Sequence, residues 1–120
     1  MELAVVLALL VAGPTGGTAE RGPSYCSRSG DLCFGIVRSG GTVSLRITTF
    51  ARYFPRYRLC VQPPRGGSTC RSFPIRRQGR VYGSTVIWYA NFPRRGSGRY
   101  RVTWRLGAER LGPTLSFRIR

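Results

Sequence analysis

Four cysteines are the first residues of this 120-residue chain whose type and spacing could do chemistry. They stand at positions 26, 33, 60 and 70, with six and nine residues inside the first and last gaps. Zinc knuckles place their cysteines about two to four residues apart, commonly with histidine nearby. These gaps are wider and the chain has no histidine, so a metal site is not expected. An even number of cysteines in a small chain reads instead as two disulfides.

Acid–base chemistry is missing its usual groups. There is no histidine and no lysine, and the acids are Glu2, Glu20, Asp31 and Glu109. A paired-carboxylate mechanism needs two acids converging within about 5–10 Å. Asp31 sits inside a turn, and Glu20 stands at the start of the folded part. With the cysteines paired, a serine or cysteine nucleophile has no base to activate it. No phosphate-cradling G-x-x-x-x-G-K run and no dinucleotide fingerprint is present. The expectation is a protein that is not an enzyme and takes no cofactor.

What the chain has in excess is arginine. All 20 of its basic residues are arginine, and the formal net charge is +16. A GC-rich coding sequence explains arginine in place of lysine. It does not explain why acids are scarce. Such an imbalance favours contact with something anionic.

The elements that position these residues read as strands. Glycine and proline recur roughly every eight to twelve residues between short β-branched and aromatic runs, the rhythm of a β-sandwich or barrel. Strands are expected at 24–28, 32–37, 42–50, 57–62, 69–75, 81–92, 100–106 and 115–120, each read by alternation. The clearest is 100–106, with Tyr100, Val102, Trp104 and Leu106 inward and Arg99, Arg101, Thr103 and Arg105 outward. In 57–62 Tyr57, Leu59 and Val61 point in, so Cys60 points out. In 69–75 Phe73 and Ile75 point in, so Cys70 points out as well, and Arg71 falls on the inward side, as at a sheet edge. In 81–92 Val86, Trp88 and Ala90 share a face. The Pro63-Pro64-Arg65-Gly66-Gly67 stretch suits a hairpin loop. Cys60 and Cys70 then face each other across it, and Cys26 and Cys33 flank the Ser29-Gly30-Asp31 turn. The expected pairs are Cys26–Cys33 and Cys60–Cys70.

The segment Gly96-Ser97-Gly98-Arg99-Tyr100-Arg101-Val102-Thr103-Trp104 resembles the entry to the sixth strand of immunoglobulin-like domains. There a glycine-containing turn precedes a tyrosine whose hydroxyl bonds back to the turn. The resemblance implies that Tyr100 is that tyrosine, and that the fold is an all-β, immunoglobulin-like or fibronectin-like antiparallel sandwich of about seven strands. Val102 stands where antibody domains carry a cysteine, so the chain departs from the antibody type. It also resembles the small exported, Arg-rich proteins of high-GC Gram-positive bacteria.

The N-terminal residues differ in kind. Leu3–Ala12 is an unbroken apolar run of ten, the length of a signal-peptide core and too short to span a bilayer. Gly13–Ala19 follows, ending small-x-small at Gly17, Thr18 and Ala19. A cleavable signal peptide over 1–19 and one domain over 20–120 are expected, although the leader carries Glu2 and no basic residue ahead of its core. The product is expected to be secreted or associated with the cell envelope, without a transmembrane anchor.

Three surfaces could bind. In the sandwich reading Arg58, Arg99, Arg101, Arg105, Arg118 and Arg120 lie outward on one sheet face. Arginine pairs bidentately with phosphate and carboxylate. The expected ligand is therefore an anionic polymer: a teichoic-type chain, an acidic polysaccharide, an anionic lipid headgroup or extracellular DNA. Phe50, Tyr53, Phe54 and Tyr57 surround Arg52 and Arg56, and are expected to form a satellite core. The loop between Cys60 and Cys70 could present Arg65 to a serine protease, which makes a small protease inhibitor the alternative function; a purely structural secreted protein is the remaining one.

Overall fold

The structure is a computed structural model and describes residues 19–120. The expected leader therefore lies, but for Ala19, outside the described residues. The described residues form ten strands and one helical turn: β1 (Ala19–Cys26), β2 (Leu32–Ser39), β3 (Thr42–Thr49), β4 (Arg56–Gln62), β5 (Thr69–Pro74), β6 (Arg76–Gln78), β7 (Val81–Ile87), α1 (Trp88–Asn91), β8 (Gly98–Leu106), β9 (Glu109–Arg110) and β10 (Leu115–Ile119).

All pairings are antiparallel and fall into two sheets. One runs β1-β2-β3-β7-β6. In the other, β5, β4 and β8 lie side by side, and both β9 and β10 pair with the free edge of β8. The alternation of the sequence sets which faces meet. Phe34 and Ile36 of β2, Val43, Leu45 and Ile47 of β3, and Val86 of β7 are buried from one side. Tyr57, Leu59 and Val61 of β4, Tyr100, Val102 and Trp104 of β8, and Phe117 of β10 are buried from the other. Aromatic rings join the sheets: Trp104 stacks on Phe34 with centroids 4.4 Å apart, and Trp88 meets Tyr100 edge-on at 4.8 Å.

Both expected disulfides are present. Cys26 lies directly opposite Cys33 across β1 and β2, and Cys60 opposite Cys70 across β4 and β5. Each closes a hairpin between neighbouring strands and leaves the interior to apolar side chains. Two disulfides in so small a domain fit an extracellular setting. No helix among the described residues is long and apolar enough to cross a membrane.

Two expected strands end early. The run 69–75 stops at Pro74, which has no N–H for a ladder. Ile75 instead donates its N–H to the Pro55 carbonyl at 2.9 Å, and the chain crosses to the other sheet as β6. The run 81–92 stops at Ile87. Residues 88–91 wind into one turn in which Phe92 N–H reaches the Trp88 carbonyl and the Asn91 amide reaches the Ile87 carbonyl. Trp88 stays buried, while Ala90, expected on the same face, is exposed. Arg71 is on the inward side of β5, as read from the sequence, and β5 is a sheet edge. The edge position lets its guanidinium reach the Asn91 carbonyl at 3.0 Å and lie 5.8 Å from the Phe73 ring.

Tyr100 is fully buried, and its hydroxyl reaches back to the preceding turn. Its hydroxyl accepts from Arg95 N–H at 2.8 Å and donates to the Gly96 carbonyl at 2.7 Å. Tyr100→Phe removes both bonds and keeps the ring. The expected cost is about 1–3 kcal/mol, which at roughly 4–8 °C per kcal/mol is readable as a lower Tm. An unchanged Tm would show that the turn is held by other contacts.

Tyr57 supplies a second stability handle. Its hydroxyl donates to Ser84 Oγ at 2.8 Å between the sheets. Burial pushes this phenol up to about 12, against a smaller downward pull from the Ser84 bond. The folded chain thus holds a proton that the unfolded chain releases near pH 10. The stability from this group is complete below pH 10 and falls as pH rises from 10 towards 12, by about 3 kcal/mol in all. Urea midpoints measured across that range should fall in the parent protein and much less in Tyr57→Phe. Equal falls in both would assign the effect elsewhere.

Candidate functional site: an arginine face on one sheet

The buried residues of β4, β8 and β10 alternate with outward ones, so one rule places the core and the surface. Outward on β4 are Arg56, Arg58, Cys60 and Gln62. Outward on β8 are Arg99, Arg101, Thr103 and Arg105, and on β10 Ser116 and Arg118. Register then sets neighbours. Arg58 lies opposite Arg105, and Arg105 opposite Arg110 of β9, which puts three arginines in one row across three strands. Arg99 lies opposite Arg118, and Arg101 lies between Gln62 and Ser116. Between the arginine rows Cys60 faces Thr103, whose hydroxyl is 3.0 Å from that of Thr114.

Arg58, Arg101, Arg105 and Arg110 border an open concavity of about 720 Å³ whose floor is the Cys60–Cys70 disulfide and Thr103. A second hollow of about 480 Å³ continues from Gln62 and Arg101 to Pro63, Pro64 and Arg99. Together they make a trough along β8. At about 3.4 Å per residue, Arg99, Arg101 and Arg105 project at intervals of about 7 and 14 Å along it.

Like charges directly opposite each other destabilise a sheet, and among the described residues no acid lies on the same face to offset them. Glu109 pairs with Leu106 in register, one position out of step with Arg105 and Arg110, so it belongs to the other face. Two of these arginines are engaged within the chain: Arg56 with Ser72 Oγ at 2.8 Å, and Arg105 with the Ala108 carbonyl at 3.0 Å. The guanidiniums of Arg58, Arg101 and Arg110 make no hydrogen bond among the described residues.

The opposite face of the molecule is a built-in comparison. The first sheet carries Arg21 on β1, Arg38 on β2, Arg46 on β3, and Arg76 and Arg77 on β6; among its central strands β2, β3 and β7 only Arg46 points outward. Arg38 turns to the sandwich edge, where its guanidinium lies 6.0 Å from the Phe117 ring and donates to the Arg118 carbonyl.

Of the six arginines singled out in the sequence, five share this face by register. Arg120 is exposed one residue beyond β10. Two further members were missed. Arg56 extends the alternation of Arg58 by one step, but lies beside an aromatic run that drew it into another cluster. Arg110 is brought in by the two-residue turn Gly107-Ala108, with Gly107 at φ 62°. A Gly-x pair between two short runs is a hairpin signal, so the sequence did carry it.

The other two surfaces come out differently. The aromatic cluster divides: Phe54 and Tyr57 join the core, whereas Phe50 is 71% and Tyr53 53% exposed. Phe50 and Tyr53 correct the expectation of a satellite core, because the loop after β3 turns outward before Phe54 re-enters. Arg65 folds back, donating to the carbonyls of Arg95 at 2.9 Å and Ser97 at 3.2 Å.

No group of three or more His, Cys, Asp or Glu side chains suited to a metal occurs among the described residues. Comparison with family models, curated protein sequences and solved structures finds no match to this chain.

Proposed function

We propose that this is a secreted, non-catalytic binding domain of the immunoglobulin-like class, which holds an anionic polymer along the arginine face of β4, β8 and β10. The class reading is supported by connectivity and by one local bond pattern. β2, β3, β7 and β6 correspond in order to strands A, B, E and D of that plan, and β4, β8 and β10 to C, F and G. β5 extends the second sheet, and β1 is an addition outside the plan. Tyr100 makes the hydroxyl-to-turn bonds of the tyrosine corner.

The observation that carries the binding reading is the row Arg58–Arg105–Arg110, bordered by Arg101, on a face without an acid among the described residues. Its electrostatic cost is relieved when phosphate or carboxylate groups settle between the guanidiniums. Among the described residues the face holds no aromatic side chain, so recognition is of charge and spacing, not of stacked bases or sugar rings. A teichoic-type phosphate chain or an acidic polysaccharide of the cell envelope fits this chemistry. Protease inhibition by the Cys60–Cys70 loop would require Arg65 to leave its two carbonyl partners, and no observation favours it.

Titration with linear inorganic polyphosphate across a sodium chloride series tests the reading. Binding should weaken steeply and linearly on a log–log plot. Affinity indifferent to salt would contradict it.

A further inference from the structure

Four large hydrophobic side chains are exposed among the described residues: Phe50, Tyr53, Tyr89 and Leu106. Isolated cases are normal on any surface. Here, however, Phe50, Tyr53 and Leu106 share one end of the sandwich. The loop after β3 carries Phe50 and Tyr53 into the start of β4. β8 ends at Leu106 beside that start, because Arg105 pairs with Arg58. Tyr89, in α1, is at the far end.

The loop is held, not loose. Phe50 N–H donates to the Asp31 carbonyl, Thr49 Oγ1 to the Ala51 carbonyl at 2.7 Å, and Ile75 N–H to the Pro55 carbonyl. The fold therefore fixes the backbone that carries two aromatic side chains outside the core, at a cost in exposed apolar area. Exposed arginines surround them: Arg52 between the rings, Arg28 in the adjoining turn, and Arg80 in the turn between β6 and β7. Arg52 also borders a hollow of about 370 Å³ with Arg76 and Arg77. These five arginines outnumber the acids at this end, Asp31 and Glu109.

We infer that this end is a docking tip for an anionic lipid bilayer. Phe50 and Tyr53 enter the headgroup–acyl boundary, and Arg28, Arg52 and Arg80 contact lipid phosphates. Tyrosine is favoured at that boundary, where its ring is apolar and its hydroxyl wet, and phenylalanine adds apolar area that enters the acyl side of it. Basic residues within a Debye length of an anionic leaflet add attraction. Two projecting rings separated by arginine suit a fluid boundary that closes around each of them; a protein partner would need one continuous complementary patch of about 800 Å². The tip is distinct from the arginine face, and the inference does not rest on that reading.

The test is sedimentation with vesicles of phosphatidylcholine alone or mixed with phosphatidylglycerol, using the whole domain. The parent should bind only the mixed vesicles. Phe50→Ser with Tyr53→Ser should weaken that binding about tenfold or more while leaving polyphosphate affinity unchanged; both rings are exposed, so folding is spared. Arg58, Arg101 and Arg105 changed together to Ser should leave vesicle binding within a few-fold. Phe50→Trp should shift its emission to the blue with mixed vesicles only. The inference is overturned if the parent ignores mixed vesicles, if the double variant binds them as the parent does, or if the arginine variant alone loses them. It is equally overturned if the double variant abolishes self-association of the domain instead.

Discussion

Arg58→Ser, Arg101→Ser and Arg105→Ser combined are expected to reduce polyphosphate affinity about 50- to 150-fold at 0.15 M salt. The figure follows from counterion release. Each phosphate neutralised contributes roughly 0.7–0.9 to the slope of log affinity against log salt, so three lost contacts flatten the slope by about two to three units. All three side chains lie outward, so the fold should survive their loss. Relief of the Arg58–Arg105 opposition should even raise stability slightly. The decisive control removes the same charge elsewhere: Arg28→Ser, Arg46→Ser and Arg80→Ser combined. If binding merely followed net charge, both variants would weaken alike. The face account expects the control to retain affinity within a few-fold. Isothermal titration of both variants against the parent checks this.

Trp104→Ala is expected to destabilise the domain by about 3–5 kcal/mol, against a total stability of about 5–15 kcal/mol for domains of this kind. Trp104 is fully buried at the centre of β8, and its ring stacks on Phe34 of the facing sheet. Its indole N–H has no partner among the described residues, so the loss is one of packing and not of hydrogen bonding. Gly112 packs close by; a Cβ added there would come within 2.8 Å of the Phe34 ring, which leaves little slack for collapse into the hole. Urea denaturation followed by the fluorescence of Trp88 would read the change, with Trp104→Phe expected to lose less. A cost under about 1 kcal/mol for the alanine variant would contradict the packing described.

Alternation made most of this fold legible. Where one face is buried and the other wet, a period of two places both the core and the surface. Tyr57, Leu59 and Val61, and Tyr100, Val102 and Trp104, are buried as their spacing implied, whereas Leu106, read as inward with them, is 42% exposed where β8 ends; that same spacing put Arg58, Arg101 and Arg105 outside. The Cys60–Cys70 disulfide followed, since both residues are out of step with their inward neighbours, and the Cys26–Cys33 disulfide followed from the turn it flanks. What alternation could not carry were the places where the chain leaves a sheet. The stop at Pro74 has a local cause, the missing N–H, but the crossing to β6 depends on Ile75 finding the Pro55 carbonyl. The stop at Ile87 depends on Asn91 capping its carbonyl. Neither partner is visible from spacing alone. Phe50 and Tyr53 illustrate a further limit, for an aromatic run names apolar residues without saying which of them the loop can return to the core.

Arg110 belongs to the site through register and not through composition. A two-residue turn at Gly107-Ala108 brings it beside Arg105, and a register shift of one residue would have sent Glu109 there instead. The acid-free face is therefore a property of the hairpin, just as the row across β4, β8 and β9 is a property of strand order.

Amide hydrogen exchange with and without bound polyphosphate tests the central claim most directly. Protection, or shifted amide resonances, should concentrate on β4, β8, β9 and β10, centred on Arg58, Arg101, Arg105 and Arg110, and leave β2, β3 and β7 unchanged. A footprint on β2, β3 and β7, or one spread evenly over both sheets, would contradict it.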